Sequence, residues 1–195
     1  MTYSIIGSGK VGTALARHFA RTGINVTIAN TRGPDTLQSL AKELGEKVTP
    51  ATLQEALKAD IVIFAIPFLA HRQIAREATD WDGKIVVDAM NPYGVPVEEL
   101  GGLASSDVVA AALPGAKIVK AFNQLPAALL ASDPSQHEGR RVVFVSGNDD
   151  DASATVGRLA AQLGFAPILL GKVAEGGRLL QLTGPLLLQN LIKLS

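Results

Sequence analysis

Seven short apolar runs, separated by segments of helical periodicity, constrain this chain more than any other feature. They are YSII, NVTIAN, DIVIFAIP, KIVVDAM, KIVKAFN, RVVFVSG and APILLG. Several are apolar on both faces, which suits strands whose sheet is covered by helices on both sides. Between the runs, Val11, Leu15 and Phe19 share one helical face. Leu37, Leu40, Ala41 and Leu44 follow i, i+3, i+4, i+7, and so do Val156, Leu159, Ala160 and Leu163. This alternation predicts an α/β fold: a doubly wound, mostly parallel sheet with helices on both faces. No linker or repeat divides residues 1–195, so one domain is expected, and an apolar fraction of 47% supplies its core. Residues 134–139 read as a surface loop. From about residue 174 the leucine-rich stretch EGGRLLQLTGPLLLQNLIKLS reads as a helical tail, broken near Gly184 and Pro185. Its Leu186, Leu187, Leu188 and Leu191 offer either a homodimer surface or a cover for the chain's own sheet edge.

Composition narrows the function classes. The formal net charge is zero, which argues against nucleic acid or a membrane surface as partner. There is no cysteine, so disulfides, thiolate metal sites and thiol nucleophiles are excluded. His18, His71 and His137 lie far apart with no metal-ligand spacing, and no metal is expected. The first apolar stretch lacks a basic leader and breaks after Ile6. The expectation is a soluble cytoplasmic protein without signal peptide or membrane span.

The segment GSGKVG directly follows the first run and opens a helix. Gly7, Gly9 and Gly12 stand in the G-x-G-x-x-G spacing. The first permits the tight turn, the second lets a pyrophosphate approach the backbone, and the third lets helix and strand pack closely. Ser8, Lys10 and Val11 complete the turn, and free N–H groups at the helix start suit phosphates. The alternative is a purely structural strand-to-helix turn.

The second run ends in Asn30, Thr31 and Arg32, where an NAD-binding unit carries an acid for the ribose hydroxyl. An acid would repel a 2′-phosphate, whereas a guanidinium binds it in bidentate fashion. The pattern therefore points to NADP(H), the alternative being that Arg32 is only a solvated loop residue.

Ligands of open α/β sheets bind beyond the carboxyl ends of the strands. Ala65, Ile66 and Pro67 close the run DIVIFAIP and form, with Phe68, an apolar wall. Asn91 and Pro92 follow KIVVDAM, and Phe122 and Asn123 end KIVKAFN. The asparagines can bind a carboxamide or a substrate carbonyl, or else satisfy turn backbone. His71 either faces the cleft or is a solvent-facing or capping residue. Lys120 either reaches the cleft or snorkels from a buried strand. No catalytic dyad is evident.

The segments YSIIGSGKVGTALARHFARTGINVTIANTRGP, ADIVIFAIP, VVDAMNP and IVKAFNQLPA occur in the order of the motifs of the NADPH-dependent reductases typified by the coenzyme F-420:NADP oxidoreductases. The chain resembles that family, and the cytosolic domains of the STEAP metalloreductases are similar to the same group. The resemblance implies a Rossmann-type domain with Gly7 to Gly12 on the pyrophosphate and Asn30, Thr31 and Arg32 on the 2′-phosphate. It also implies Ile66 and Pro67 beside the dinucleotide, and the loops after Ala89 and Phe122 on the nicotinamide side. Deazaflavin-using members carry a tryptophan and an acid after the fourth-strand proline. Here Phe68, Leu69 and Ala70 precede His71. Too few residues follow position 170 for a second domain, so the acceptor site is expected to be shallow or completed by a partner subunit. The resulting expectation is hydride transfer between NADPH and a small-molecule redox carrier, a flavin or deazaflavin co-substrate. Reduction of a small carbonyl or imine, and a non-catalytic NADP(H) sensor, are the alternatives.

Overall fold

The computed structural model describes residues 1–78, 80–136 and 138–194, so His137 lies outside the described residues. The chain alternates as the apolar runs require. β1 (Tyr3–Ile6), α1 (Lys10–Thr22), β2 (Val26–Ala29), α2 (Gln38–Leu44) and β3 (Val48–Pro50) form one half. α3 (Leu53–Ala56), β4 (Ile61–Phe64), α4 (His71–Ala75), β5 (Ile85–Asp88), α5 (Ser105–Ala112) and β6 (Lys117–Ala121) form the other. α6 (Ala127–Ala131), β7 (Ser135–Gln136), β8 (Gly139–Gly147), α7 (Asp150–Gln162), β9 (Ala166–Leu169), α8 (Arg178–Leu180) and β10 (Ile192–Leu194) complete the chain.

The strands β3-β2-β1-β4-β5-β6 lie side by side and all parallel, in the order of a dinucleotide-binding sheet. β8 joins β6 in the opposite direction and carries β9 parallel to itself. The sheet is therefore mostly parallel, with helices on both faces. β4 shows why: all four of its residues are buried. Ile61 and Ile63 pack on one side with Leu15 and Phe19 of α1 and Val156 and Leu159 of α7. Val62 and Phe64 pack on the other with Ile74 of α4 and Val109 of α5. Local chemistry sets the helix starts. The side chains of Thr52 and Glu55 form a reciprocal capping box on α3. Asp149 accepts from Ala152 N–H at 2.8 Å to cap α7.

Two glycines set the approach of α1 to the sheet. Gly7 has φ +111°, and a Cβ there would lie 2.2 Å from the Ala65 carbonyl oxygen. A Cβ on Gly12 would lie 1.9 Å from the Gly7 carbonyl oxygen. Both are contacts with backbone, so no side chain can move aside.

The tail is not the expected helix. After a wide turn at Val173–Gly177 and the single turn of α8, it runs irregularly to β10, which pairs antiparallel with β8. Thr183 and Leu188 adopt φ of 73° and 66°, and Pro185 has no N–H, so the helical ladder cannot continue. Tertiary bonds take its place. Leu188 N–H donates to Gln124 O at 2.8 Å. The Gln124 side chain donates to Val142 O at 3.1 Å and accepts from Phe144 N–H at 2.9 Å. Leu180 and Leu186 pack on Val142, Phe144 and Ala166 and cover the chain's own sheet, while Leu188 and Leu191 stay exposed. The expected loop near residue 134 also contains structure: Ser135 of β7 pairs with Arg140 of β8. Among the described residues, no helix is long and apolar enough to cross a membrane.

Gly12→Ala should destabilise the fold by about 3 kcal/mol or more, the upper end of overpacking costs, because backbone must shift. Urea unfolding of the variant beside the wild type measures it.

Candidate functional site

Parallel strands end together, and here the ends of β1, β4, β5 and β6 surround one cavity of about 460 Å³. Gly9, Lys10 and Val11 at the start of α1 form one edge. Ala65, Ile66, Pro67 and Phe68 after β4 form a wall, and Met90, Asn91 and Asn123 lie after β5 and β6. The cavity thus sits at the switch between β1 and β4, where open α/β sheets take their ligands. Gly9 has an extended backbone, and a Cβ on it would meet nothing within 4 Å. It opens onto free space, unlike Gly7 and Gly12.

A second cavity of about 280 Å³ opens beyond β2 and is lined by Asn30, Thr31, Gly33 and Thr52, with Glu77 on its far wall. Asn30 is a brace. Its Nδ2 donates to Ser8 Oγ and to Thr36 Oγ1, each at 3.0 Å. Its Oδ1 accepts from Arg32 N–H at 2.9 Å. Both amide hydrogens are used, which leaves Thr31, Arg32 and the Gly33 backbone to meet a ligand. The Arg32 guanidinium is exposed and has no protein partner among the described residues.

Behind the first cavity lies a buried ion pair. Lys120 and Asp88 are register partners on β6 and β5, and both are fully buried. Lys120 Nζ donates to Asp88 Oδ2 at 3.0 Å and to Met90 O at 2.7 Å. Ser106 Oγ donates to the same carboxylate oxygen at 2.6 Å, and Met90 N–H to the other at 3.0 Å. Lys120 therefore neither reaches the cleft nor snorkels. It pins the Met90 turn that lines the cavity.

Three other residues expected at this cleft, His71, Phe122 and Pro92, do not line it. His71 is fully buried, and its Nδ1–H donates to the Phe68 carbonyl. Its Nε2 is then an acceptor without a partner. Burial holds its pKa below the ordinary value of 6.5, partly offset by the Phe68 carbonyl and the Asp88 charge. Facing neither solvent nor cleft, it backs Phe68, ring to ring at 5.0 Å. Phe122 has φ 63°, which turns its ring to Phe165 in the core on the α7 side. Pro92 is buried behind the rim. His18 is buried too, and burial lowers its pKa.

Residues 2–92 match the family described as NADP oxidoreductase, coenzyme F420-dependent. Over those residues, just under half of its length, the chain is similar to this family. Rat metalloreductase STEAP3 is 32% identical over 174 residues, which are 88% of this chain and 34% of that protein. The chain spans about a third of the length of the curated relatives it matches. Among solved structures, the hypothetical protein SMa0349 from Sinorhizobium meliloti is 46% identical, with a TM-score of 0.94 over 99% of this chain and 96% of that one. A protein from Arthrobacter sp. FB24, provisionally described as an F420-dependent NADP-reductase, is 28% identical, with a TM-score of 0.72 over 89% and 86%.

The family match ends at Pro92, so it leaves out part of the cavity that sequence reasoning also missed. Tyr93, Leu125, Pro126, Ala127 and Leu188 all line it. Leu188 comes from the tail and had no local signal. Asp88 did have one: an acid inside an apolar run, with a lysine inside the next run.

Lys120→Met should cost about 3–5 kcal/mol, since it leaves the Asp88 carboxylate buried and unpaired, and adding Asp88→Asn should recover much of that loss. Urea midpoints of single and double variants test it. Both buried histidines have depressed folded pKa values, so the stability linked to them is present above about 6.5 and lost as pH falls. The wild-type midpoint should drop between about pH 7.5 and 5.5, above the range where Glu55, Asp60 and Asp149, also depressed, come into play. A flat midpoint there would contradict it.

Proposed function

We propose that the chain is an NADP(H)-dependent oxidoreductase that passes hydride between NADPH and a planar flavin or deazaflavin acceptor. The observation that carries this reading is the lining of the cavity at the strand ends. Its walls are Ile66, Pro67, Phe68, Leu125 and Leu188, and its only titratable side chains among the described residues are Lys10 and Tyr93. Reduction of a carbonyl or imine needs a proton delivered at the reacting atom. A redox ring that exchanges its proton with water needs a flat, apolar wall and orientation instead. The volume suits one ring system beside a nicotinamide.

NADPH supplies the hydride when bound. The protein's part is to hold it. The open space at Gly9 admits the pyrophosphate, and the start of α1 offers its unpaired N–H groups and the positive end of the helix dipole. The unpartnered Arg32 reads the 2′-phosphate, while Asn30 holds Arg32 and the glycine turn in register. The second reading, a carbonyl or imine reductase, rests on Tyr93, whose phenol at the rim is the one candidate proton donor on that side.

Arg32→Ala should weaken NADPH by about ten- to a hundredfold and leave NADH nearly unchanged, as expected for a lost hydrogen bond to a charged group. Paired titrations measure it, and equal losses for both cofactors would remove Arg32 from phosphate recognition. Gly9→Val should keep its fold by circular dichroism and lose NADPH binding. Anaerobic NADPH oxidation should proceed with flavins or deazaflavin and not with a panel of carbonyls and imines. Tight binding without turnover of any acceptor would identify a sensor instead. Tyr93→Phe should leave turnover within about threefold, whereas its loss would favour the second reading.

A further inference from the structure

Asn123 follows β6, lines the cavity and is only 5% exposed. Its Nδ2 donates to Asn91 Oδ1 at 3.0 Å and to Leu180 O at 2.8 Å. Neither partner can be a donor. Leu180 presents a carbonyl, and Asn91 is itself oriented by donation from its Nδ2 to Asn123 O at 2.8 Å. Reversing the Asn123 amide would set its oxygen against two oxygens, so the orientation is fixed by chemistry. The remaining atom, Oδ1, is buried and has no hydrogen-bond partner. Orphaned buried acceptors are rare, and each calls for a donor.

We propose that Asn123 Oδ1 accepts a hydrogen bond from the primary carboxamide of the nicotinamide ring and thereby fixes which face of the ring meets the acceptor. The assignment rests on the NADPH reading above. Two features favour the carboxamide over a donor on the acceptor. Asn123 stands at the closed, strand-end side of the cavity, tied to Asn91, whereas Tyr93 and Leu188 are exposed at its open side, where an acceptor enters. Asn123 also stands two residues beyond β6, tied on one side to the β5 turn and on the other to α8, as a group that orients a ring must be.

The test compares ligands that differ only in this donor. The acetylpyridine analogue of NADP⁺ replaces the carboxamide NH₂ by a methyl group, and the thionicotinamide analogue keeps the NH₂. Wild-type protein should bind the acetylpyridine analogue about tenfold more weakly than NADP⁺, and the thionicotinamide analogue within about threefold. In Asn123→Ala, checked for folding by circular dichroism, the gap between NADP⁺ and the acetylpyridine analogue should close. Equal wild-type affinities overturn the proposal, as does a gap that persists in the folded variant. Should the variant not fold, the wild-type comparison decides alone. Failure of NADP⁺ itself to bind would overturn the cofactor reading and this assignment together, a result distinct from equal binding of both ligands.

Discussion

A lysine ammonium with no exposed surface must find its counter-charge inside the protein, and Asp88 supplies it to Lys120. Much of the site hangs from that pair. The two residues stand opposite one another on β5 and β6, so their attraction fastens the carboxyl ends of two strands. Both backbone groups of Met90 are held there, one by each partner. The fixed Met90 turn presents Asn91, Asn91 engages Asn123, and Asn123 reaches the Leu180 carbonyl. An unbroken series of polar contacts therefore runs from the buried charges to the tail. The bonds of the ion pair and the one to Leu180 are buried, where a hydrogen bond is strong and a missing one costly, and the Asn91–Asn123 pair between them is part-buried.

Much of this was legible in the sequence where sterics leave few choices. Runs apolar on both faces can only be covered strands, and the glycine spacing follows from contacts of 1.9 and 2.2 Å with backbone. Strand ends converge because the sheet is parallel, so the sequence alone groups Ala65 to Phe68, Asn91 and Asn123. The losses share a cause: each depends on a partner distant in sequence. Lys120 looked like a snorkelling residue because nothing in its own run reveals Asp88 across the register. Phe122 reads as a rim residue because it stands at the end of its run. Its positive φ rotates the ring to the opposite face. The leucines of the tail do suggest a helix, but Gln124, far away in sequence, binds the segment in another form.

Asn30, expected to touch a ligand, lines the second cavity and also braces the loops around it. It joins the glycine turn through Ser8, the following loop through Arg32 N–H, and the start of the next helical segment through Thr36. Two loops from different strands are thereby held as one unit. A short polar side chain suits this task, because an amide can donate twice and accept twice within a few ångströms. Replacing it by a carboxylate would remove both donations.

The strap that carries Leu188 has a further meaning. One wall of the main cavity is built by the first ninety or so residues, the segment that matches the family, while the opposite side is contributed by α6 and by a strap near the chain's end. The strap is held to the sheet through the Gln124 backbone and side chain rather than by a helix of its own. Its side chains can change without disturbing the glycine turn or the buried ion pair. Such an arrangement is modular: the strap can take other side chains to suit a different molecule at the cavity mouth, while the glycine turn and the ion pair stay as they are.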